Sequence, residues 1–129
     1  MRVSLAWLRD FVVIDRGPRE LAAALIDLGL EVSAIEEAGA GLERVVVGDL
    51  VSVASHPNAD RLTLCEVDTG DARHRIVCGA KNMKAGDRVA LALPGAVLPN
   101  GMEIRRSKIR GEVSEGMLCS EVELGFARE

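Results

Sequence analysis

Apolar positions up to about residue 29 recur at helical spacing, and beyond a Gly-rich joint they recur at every second residue. Ser4 is placed to N-cap a short helix on which Trp7, Leu8 and Phe11 share a face. Gly17-Pro18 opens a second helix, with proline at the first helical position, where a missing N–H is no loss. Leu21, Leu25 and Leu28 form its stripe, and Gly29 stands where it should end. The alternation in residues 30–37, LEVSAIEE, predicts a short strand. The AGAG run at 38–41 reads as a flexible joint.

Beyond the joint, strand patterns cover 45–55, 61–70, 73–79, 88–99 and 116–120. Gly48 marks a bulge or bend in the first, and a tight Thr-Gly-Asp turn separates the second from the third. AKNMKAGD, after the third, reads as a short helix or loop. Short strands about ten residues apart, punctuated by Gly and Pro, predict an all-β barrel or sandwich. Five strands with one interruption after the third fit the oligonucleotide-binding (OB) barrel best. The fold class is therefore mainly β: a five-stranded OB-fold barrel over 39–129, preceded by a small α+β segment over 1–38.

Composition narrows the function classes. A chain of 129 residues, 48% apolar, can bury a core without staples. Its net charge of -4 argues against a strongly basic nucleic-acid clamp, though not against a local basic face. Three cysteines without close pairing suit a reducing cytoplasm, so a cytoplasmic location is expected. Arg9 and Asp10 interrupt the first apolar stretch, which excludes a signal peptide there. No apolar run approaches the ~20 residues of a membrane span, so no membrane partner is expected.

The stretch SHPNADRL at 55–62 raises the question of chemistry. His56 has His74, Cys65, Cys78 and Cys119 as conceivable companions for a metal. None of these lie at the roughly two-to-four-residue spacings usual in zinc sites. Each cysteine sits inside a strand pattern, where it behaves as a small buried apolar residue. Pro57 fixes one backbone angle, while Asn58 and Asp60 can bond nearby backbone N–H groups, so the stretch reads as a corner. GxGxxG, P-loop, HExxH and GxSxG patterns are absent. The expectation is a chain with no catalytic residues, no metal ligands and no cofactor of its own.

One stretch does suggest a ligand surface. IRRSKIRG at 104–111 concentrates Arg105, Arg106, Lys108 and Arg110, four of the twelve Lys/Arg from residue 43 onward. A phosphate backbone needs such a stripe. Ordinary solvated charge beside a strand explains it equally well. The barrel segment has no Trp or Tyr and only Phe126 near its end, so it cannot stack bases as single-strand binders do. Any nucleic acid would be read as a folded double-helical shape, through phosphates and 2′-hydroxyls.

Taken together, HPNADRL, IVCGAKN (76–82), ALPGAVLP (92–99) and KIRGEVSEGMLCSEVELG (108–125) resemble the tRNA-binding OB domain. That domain occurs in bacterial phenylalanine–tRNA ligase beta subunits, in methionine–tRNA ligases and in free-standing tRNA-binding proteins. MRVSLAWLRDFV and LAAALIDLGLEVSAIE resemble the N-terminus of the beta subunit in particular. The resemblance implies a non-catalytic tRNA-binding module in an assembly that charges tRNA with phenylalanine, using ATP and magnesium at an active site in the alpha subunit. The implied partners are tRNA and that alpha subunit. It also places Ser114 and Met117, the Ser and Met of an SxGM stretch, beside Lys108 and Arg110 as tRNA contacts. Alternatively, Ser114 and Gly116 shape a turn and Met117 joins the core. In the family, a segment after the barrel completes the first domain, so Trp7, Phe11 and the leucine stripe would lack their covering. The chain is then either an excised fragment or a self-associating, chaperone-like tRNA-binding protein without an enzymatic role. The first reading is preferred, because most free-standing forms have no counterpart to 1–38.

Overall fold

In the computed structural model, which describes residues 1–127, the chain divides at the Gly-rich joint into Met1–Ala38 and Gly39–Glu129. In the first unit, α1 (Leu5–Leu8) begins where Ser4 Oγ accepts the Trp7 N–H at 3.4 Å. Trp7 and Phe11 meet edge to face, with centroids 5.7 Å apart. The longer α2 (Pro18–Asp27) starts with the Glu20 carboxylate accepting the Gly17 N–H at 3.1 Å. Leu28 caps its end and Gly29 follows at positive φ, past which the Leu30 N–H returns to the Leu25 carbonyl. Leu21 and Leu25 are half-buried, but Leu28 is exposed, so the stripe is only partly covered within this unit. Residues 30–37 form no strand, contrary to their alternating pattern. Extended backbone needs a ladder partner, and Met1–Ala38 contains no strand to supply one.

The second unit is β throughout. Its strands are β1 (Val45–His56), β2 (Ala59–Asp68), β3 (Arg73–Cys78), β4 (Arg88–Ala92), β5 (Ser107–Ile109), β6 (Glu112–Ser114) and β7 (Met117–Cys119). Five make one antiparallel sheet in the order β3-β2-β1-β4-β7, and β5 with β6 forms a separate hairpin. The five-stranded, mainly β architecture expected from the sequence is present, with the hairpin as an addition.

Two local expectations are corrected, and a third is narrowed to one of its alternatives. Gly48 is not a bulge. It pairs in register with Val89, and the irregularities of β1 fall between Leu50 and Ser52 and between Ser55 and His56. Glycine is needed at 48 for space, because a Cβ there would run into Val67 Cγ1 and sit 3.2 Å from the Asp68 carbonyl oxygen. The strand expected over 88–99 stops at Ala92, since Pro94 lacks an N–H, and only a single bridge from Val97 to Glu103 follows. Residues 79–87 form a loop without helix, tied back to Leu50, whose N–H donates to the Asp87 carbonyl and whose carbonyl accepts the Gly86 N–H, both at 2.8 Å.

The core lies on the inner face of the sheet. Leu50, Cys65, Val67, Ile76 and Leu91 form one buried cluster, and Ala92, Ala96, Leu98 and Ile104 form a second. Each fully buried Leu or Ile contributes about 1.5–3 kcal/mol. The two ends of the sheet approach through residues 114–117. The Val77 N–H on β3 donates to Ser114 Oγ at 3.1 Å, the Glu115 N–H donates to the Arg75 carbonyl at 2.9 Å, and β7 follows immediately. The sheet is thus rolled upon itself by side-chain and single backbone bonds. No helix among the described residues is long and apolar enough to cross a membrane.

Candidate nucleic-acid interface

The basic stretch of the sequence becomes the β5–β6 hairpin. Its turn is Arg110-Gly111, with φ of 52° and 97°. Positive φ at both central residues is what a two-residue hairpin matching strand twist requires, and Gly111 takes it without steric cost. Ile104 is buried and Ile109 half-buried, which leaves Arg105, Arg106, Lys108 and Arg110 exposed.

The four cations are not equivalent. Arg105 donates to Glu103 at 2.7 Å, and this bond holds the Glu103 carboxyl below its ordinary range. Arg106 lies 4.0 Å from Glu115. Lys108 and Arg110 have no ion-pair partner among the described residues. Exposed ion pairs contribute about 0–1 kcal/mol, so a phosphate would displace Glu103 or Glu115 at small cost. The tip of the hairpin carries uncompensated charge before any such exchange.

Ser114 is placed differently from the cations. It is 1% exposed, accepts the Val77 N–H and donates to the Gly116 carbonyl at 2.9 Å. Its hydroxyl is committed to the edge of β3 and the turn into β7, the turn-shaping role weighed for it from the sequence. Met117 is half-buried on β7, opposite Ala92 and packed on the second cluster. It also lines two grooves. An open cleft of about 920 Å³ runs past Leu62, Cys78, Met83, Met117 and Leu118, and a smaller one of about 320 Å³ adjoins Arg105 and Ser107.

The SHPN stretch is a corner, with a division of labour the sequence did not reveal. Pro57 and Asn58 make the two-residue turn from β1 to β2. His56 is 5% exposed; its Nδ1 accepts the Asn58 N–H at 3.0 Å, so its Nε2 carries the proton and donates to the Ile109 carbonyl at 3.1 Å. Asn58 Nδ2 donates to the Arg110 carbonyl at 3.2 Å. The backbone N–H is therefore taken by histidine and not by Asn58 or Asp60. Asp60 makes no side-chain hydrogen bond among the described residues. Sequence reasoning missed this tie because His56 and Ile109 are 53 positions apart. A histidine closing a strand just before Pro-Asn was the available signal.

The remaining titratable groups are structural in character. Burial pushes the Cys65 thiol up, and burial with the nearby Glu123 pushes Cys119 to about 11. His74 lies 3.4 Å from Thr69 Oγ1 in the β2–β3 turn. No group of three His, Cys, Asp or Glu among the described residues is arranged to hold a metal ion.

A small, rolled antiparallel sheet flanked by a cationic hairpin defines the class: an OB-type β module. Residues 45–128 match the family described as "Putative tRNA binding domain", and the chain belongs to that family. All 129 residues align at 54% identity with the phenylalanine–tRNA ligase beta subunit of Syntrophus aciditrophicus, and at 55% with that of Geobacter metallireducens. The chain spans 16% of the length of each of these relatives. The resemblance seen in the sequence thus extends along the entire chain. Among solved structures, the fold is similar to Naegleria gruberi RNA ligase, as its K170A mutant with ATP and Mn. The TM-score is 0.51 at 15% identity, covering 64% of this chain and 29% of the ligase. At that identity the likeness is one of fold alone.

Proposed function

We propose that this chain is the tRNA-binding module of a phenylalanine–tRNA ligase beta subunit, which holds folded tRNA through the β5–β6 hairpin and performs no chemistry itself. The whole ligase would join it to an alpha subunit that supplies the active site, where ATP would be consumed as a substrate with magnesium bound. The observation that carries the reading is the exposed hairpin tip, with Lys108 and Arg110 free of acidic partners among the described residues, in a domain of the tRNA-binding family. Arg105 and Arg106 extend the same surface once Glu103 and Glu115 are released. Met117 contributes an apolar edge beside them, and Ser114 supports the surface from within.

Binding of this kind is salt-dependent and shape-directed. Each phosphate contact contributes about 0.7–0.9 to the slope of log K against log salt. Replacing Arg105, Arg106, Lys108 and Arg110 with alanine should flatten that slope by about two units or more. Lys108 and Arg110 should account for most of the loss, because the other two must first leave their carboxylates. With no Trp or Tyr in Gly39–Glu129, folded tRNA should outcompete single-stranded RNA of equal length. The test is a titration of both RNAs against parent and four-alanine variant at two salt concentrations. Equal affinity of the variant for folded tRNA would refute the surface, and preference for the single strand would refute the shape-directed mechanism.

A further inference from the structure

The two unpaired cations sit on a three-residue-per-strand hairpin, which is too short to hold its own geometry. Its three pairs, Ser107 with Ser114, Lys108 with Val113 and Ile109 with Glu112, are its only ladder. Its turn residue Arg110 is the one non-glycine residue at positive φ among the described residues, a conformation that needs external support. Two carbonyls flank the charged tip, those of Ile109 and Arg110. Both accept hydrogen bonds from the distant β1–β2 corner, from His56 Nε2 at 3.1 Å and Asn58 Nδ2 at 3.2 Å. Asn58 Nδ2 also lies 3.5 Å from where a Cβ on Gly111 would stand, so the amide packs against both turn residues.

The corner is itself braced for this task. The Asn58 N–H bonds to His56 Nδ1, which fixes the ring tautomer that can donate to Ile109. The imidazole is buried, while the Asn58 side chain is exposed and sits over the turn. A corner needed only to join β1 to β2 would have no use for donors aimed at carbonyls more than fifty residues away. We propose that His56 and Asn58 are positioning residues for RNA binding: together they hold the Arg110-Gly111 turn so that Lys108 and Arg110 present a fixed pair of charges to two phosphates. This rests on the functional reading above and adds to it which residues outside the basic run determine affinity.

The experiment uses the full chain with His56→Leu, Asn58→Ala and the rescue variant His56→Gln, whose amide can restore the donor to Ile109. Amide hydrogen exchange is read in the hairpin, and β1–β4 amides such as those of Val47 and Ala90 serve as the internal reference. Binding of folded tRNA is read in parallel at several salt concentrations. We expect His56→Leu and Asn58→Ala to raise exchange over Lys108–Val113 at least about tenfold with the reference amides unchanged, the size of a lost local opening barrier of one order. The salt slope should fall toward that of a Lys108→Ala/Arg110→Ala variant, and His56→Gln should restore both readouts. Should His56→Leu unfold the core, seen as exchange rising everywhere, Asn58→Ala carries the test, because its side chain is exposed. Unchanged hairpin exchange in Asn58→Ala overturns the strut, and raised exchange with the parental salt slope overturns its role in binding. A parent whose binding shows no salt dependence overturns the RNA surface itself and this proposal with it, a failure told apart from the others because it appears before any substitution.

Discussion

Replacing Ser114 with alanine separates an internal strut from an RNA contact. In the structure its hydroxyl closes the gap between the outer edge of β3 and the turn into β7, accepting the Val77 N–H and donating to the Gly116 carbonyl. Both Ser114 and Val77 are buried, so water does not replace the lost oxygen freely. An unsatisfied buried donor costs about 1–3 kcal/mol, and the Gly116 carbonyl loses a partner as well. A destabilisation of ~2 kcal/mol is expected, which for a domain of this size lowers Tm by roughly 8–16 °C. The assay is urea unfolding of parent and variant, with tRNA binding measured at a temperature where both are folded. The slope of log K against log salt should be parental, and affinity close to it. An unchanged unfolding midpoint together with weaker tRNA binding at every salt concentration would refute the argument and put the hydroxyl on the RNA.

Further expectations concern crowding, thiols and acid. Gly48→Ala should cost about 1–3 kcal/mol in denaturant midpoint, because the new Cβ overlaps Val67 Cγ1 on the neighbouring strand. Gly116→Ala should cost roughly 3 kcal/mol or more, since φ is 145° and the Cβ meets the Ala92 carbonyl oxygen, and loss of a cooperative thermal transition would register it. With Cys119 at about 11, only about one thiol in a thousand is thiolate at pH 8, so iodoacetamide should label it after unfolding and hardly before, as mass spectrometry would show. Glu103 is depressed by its bond from Arg105, so its contribution is present above the ordinary glutamate range and is lost as pH falls through the lowered value. Arg105→Ala should move the NMR titration midpoint of Glu103 upward, toward the unperturbed value.

The parts legible in the sequence were those with enough residues to show a period. β1 and β2 run for 12 and 10 residues, and α2 for 10, and their alternation or stripe stands out from any background. The β5–β6 hairpin has three residues per strand, below what periodicity can register, so its charges were visible but its geometry was not. Residues 30–37 show the reverse failure: alternation permits a strand but does not provide its partner. Pro94 could have cut the strand expected over 88–99, since a proline removes a ladder donor wherever it falls. The hydrogen bonds of Ser114 and His56 were illegible for one reason. Their partners are the Val77 N–H, 37 positions away, and the Ile109 carbonyl, 53 positions away, and backbone groups leave no mark in a sequence.

The acidity of the chain is compatible with a phosphate-binding tip because the charge is unevenly distributed. Residues 1–38 hold four cations against seven acids, and the remainder holds twelve against thirteen, so most of the net -4 lies outside the β unit. Within the β unit, five arginines face carboxylates: Arg73 on Glu66 and Asp68, Arg75 on Glu112, Arg88 on Asp49, Arg105 on Glu103 and Arg106 on Glu115. The pairing compensates the acids beside the hairpin, Glu103, Glu112 and Glu115, as well as the cations they face. Glu112, the acid nearest the turn in sequence, is engaged by Arg75 at 3.6 Å, which leaves Lys108 and Arg110 without a local counter-charge of their own. At physiological salt a charge is felt over ~8 Å, so a phosphate at the tip would respond chiefly to the charges beside it, those of Lys108 and Arg110. In the proposed binding mode, net charge governs how often RNA and protein meet at low salt, while the orientation of one short hairpin governs whether they stay together.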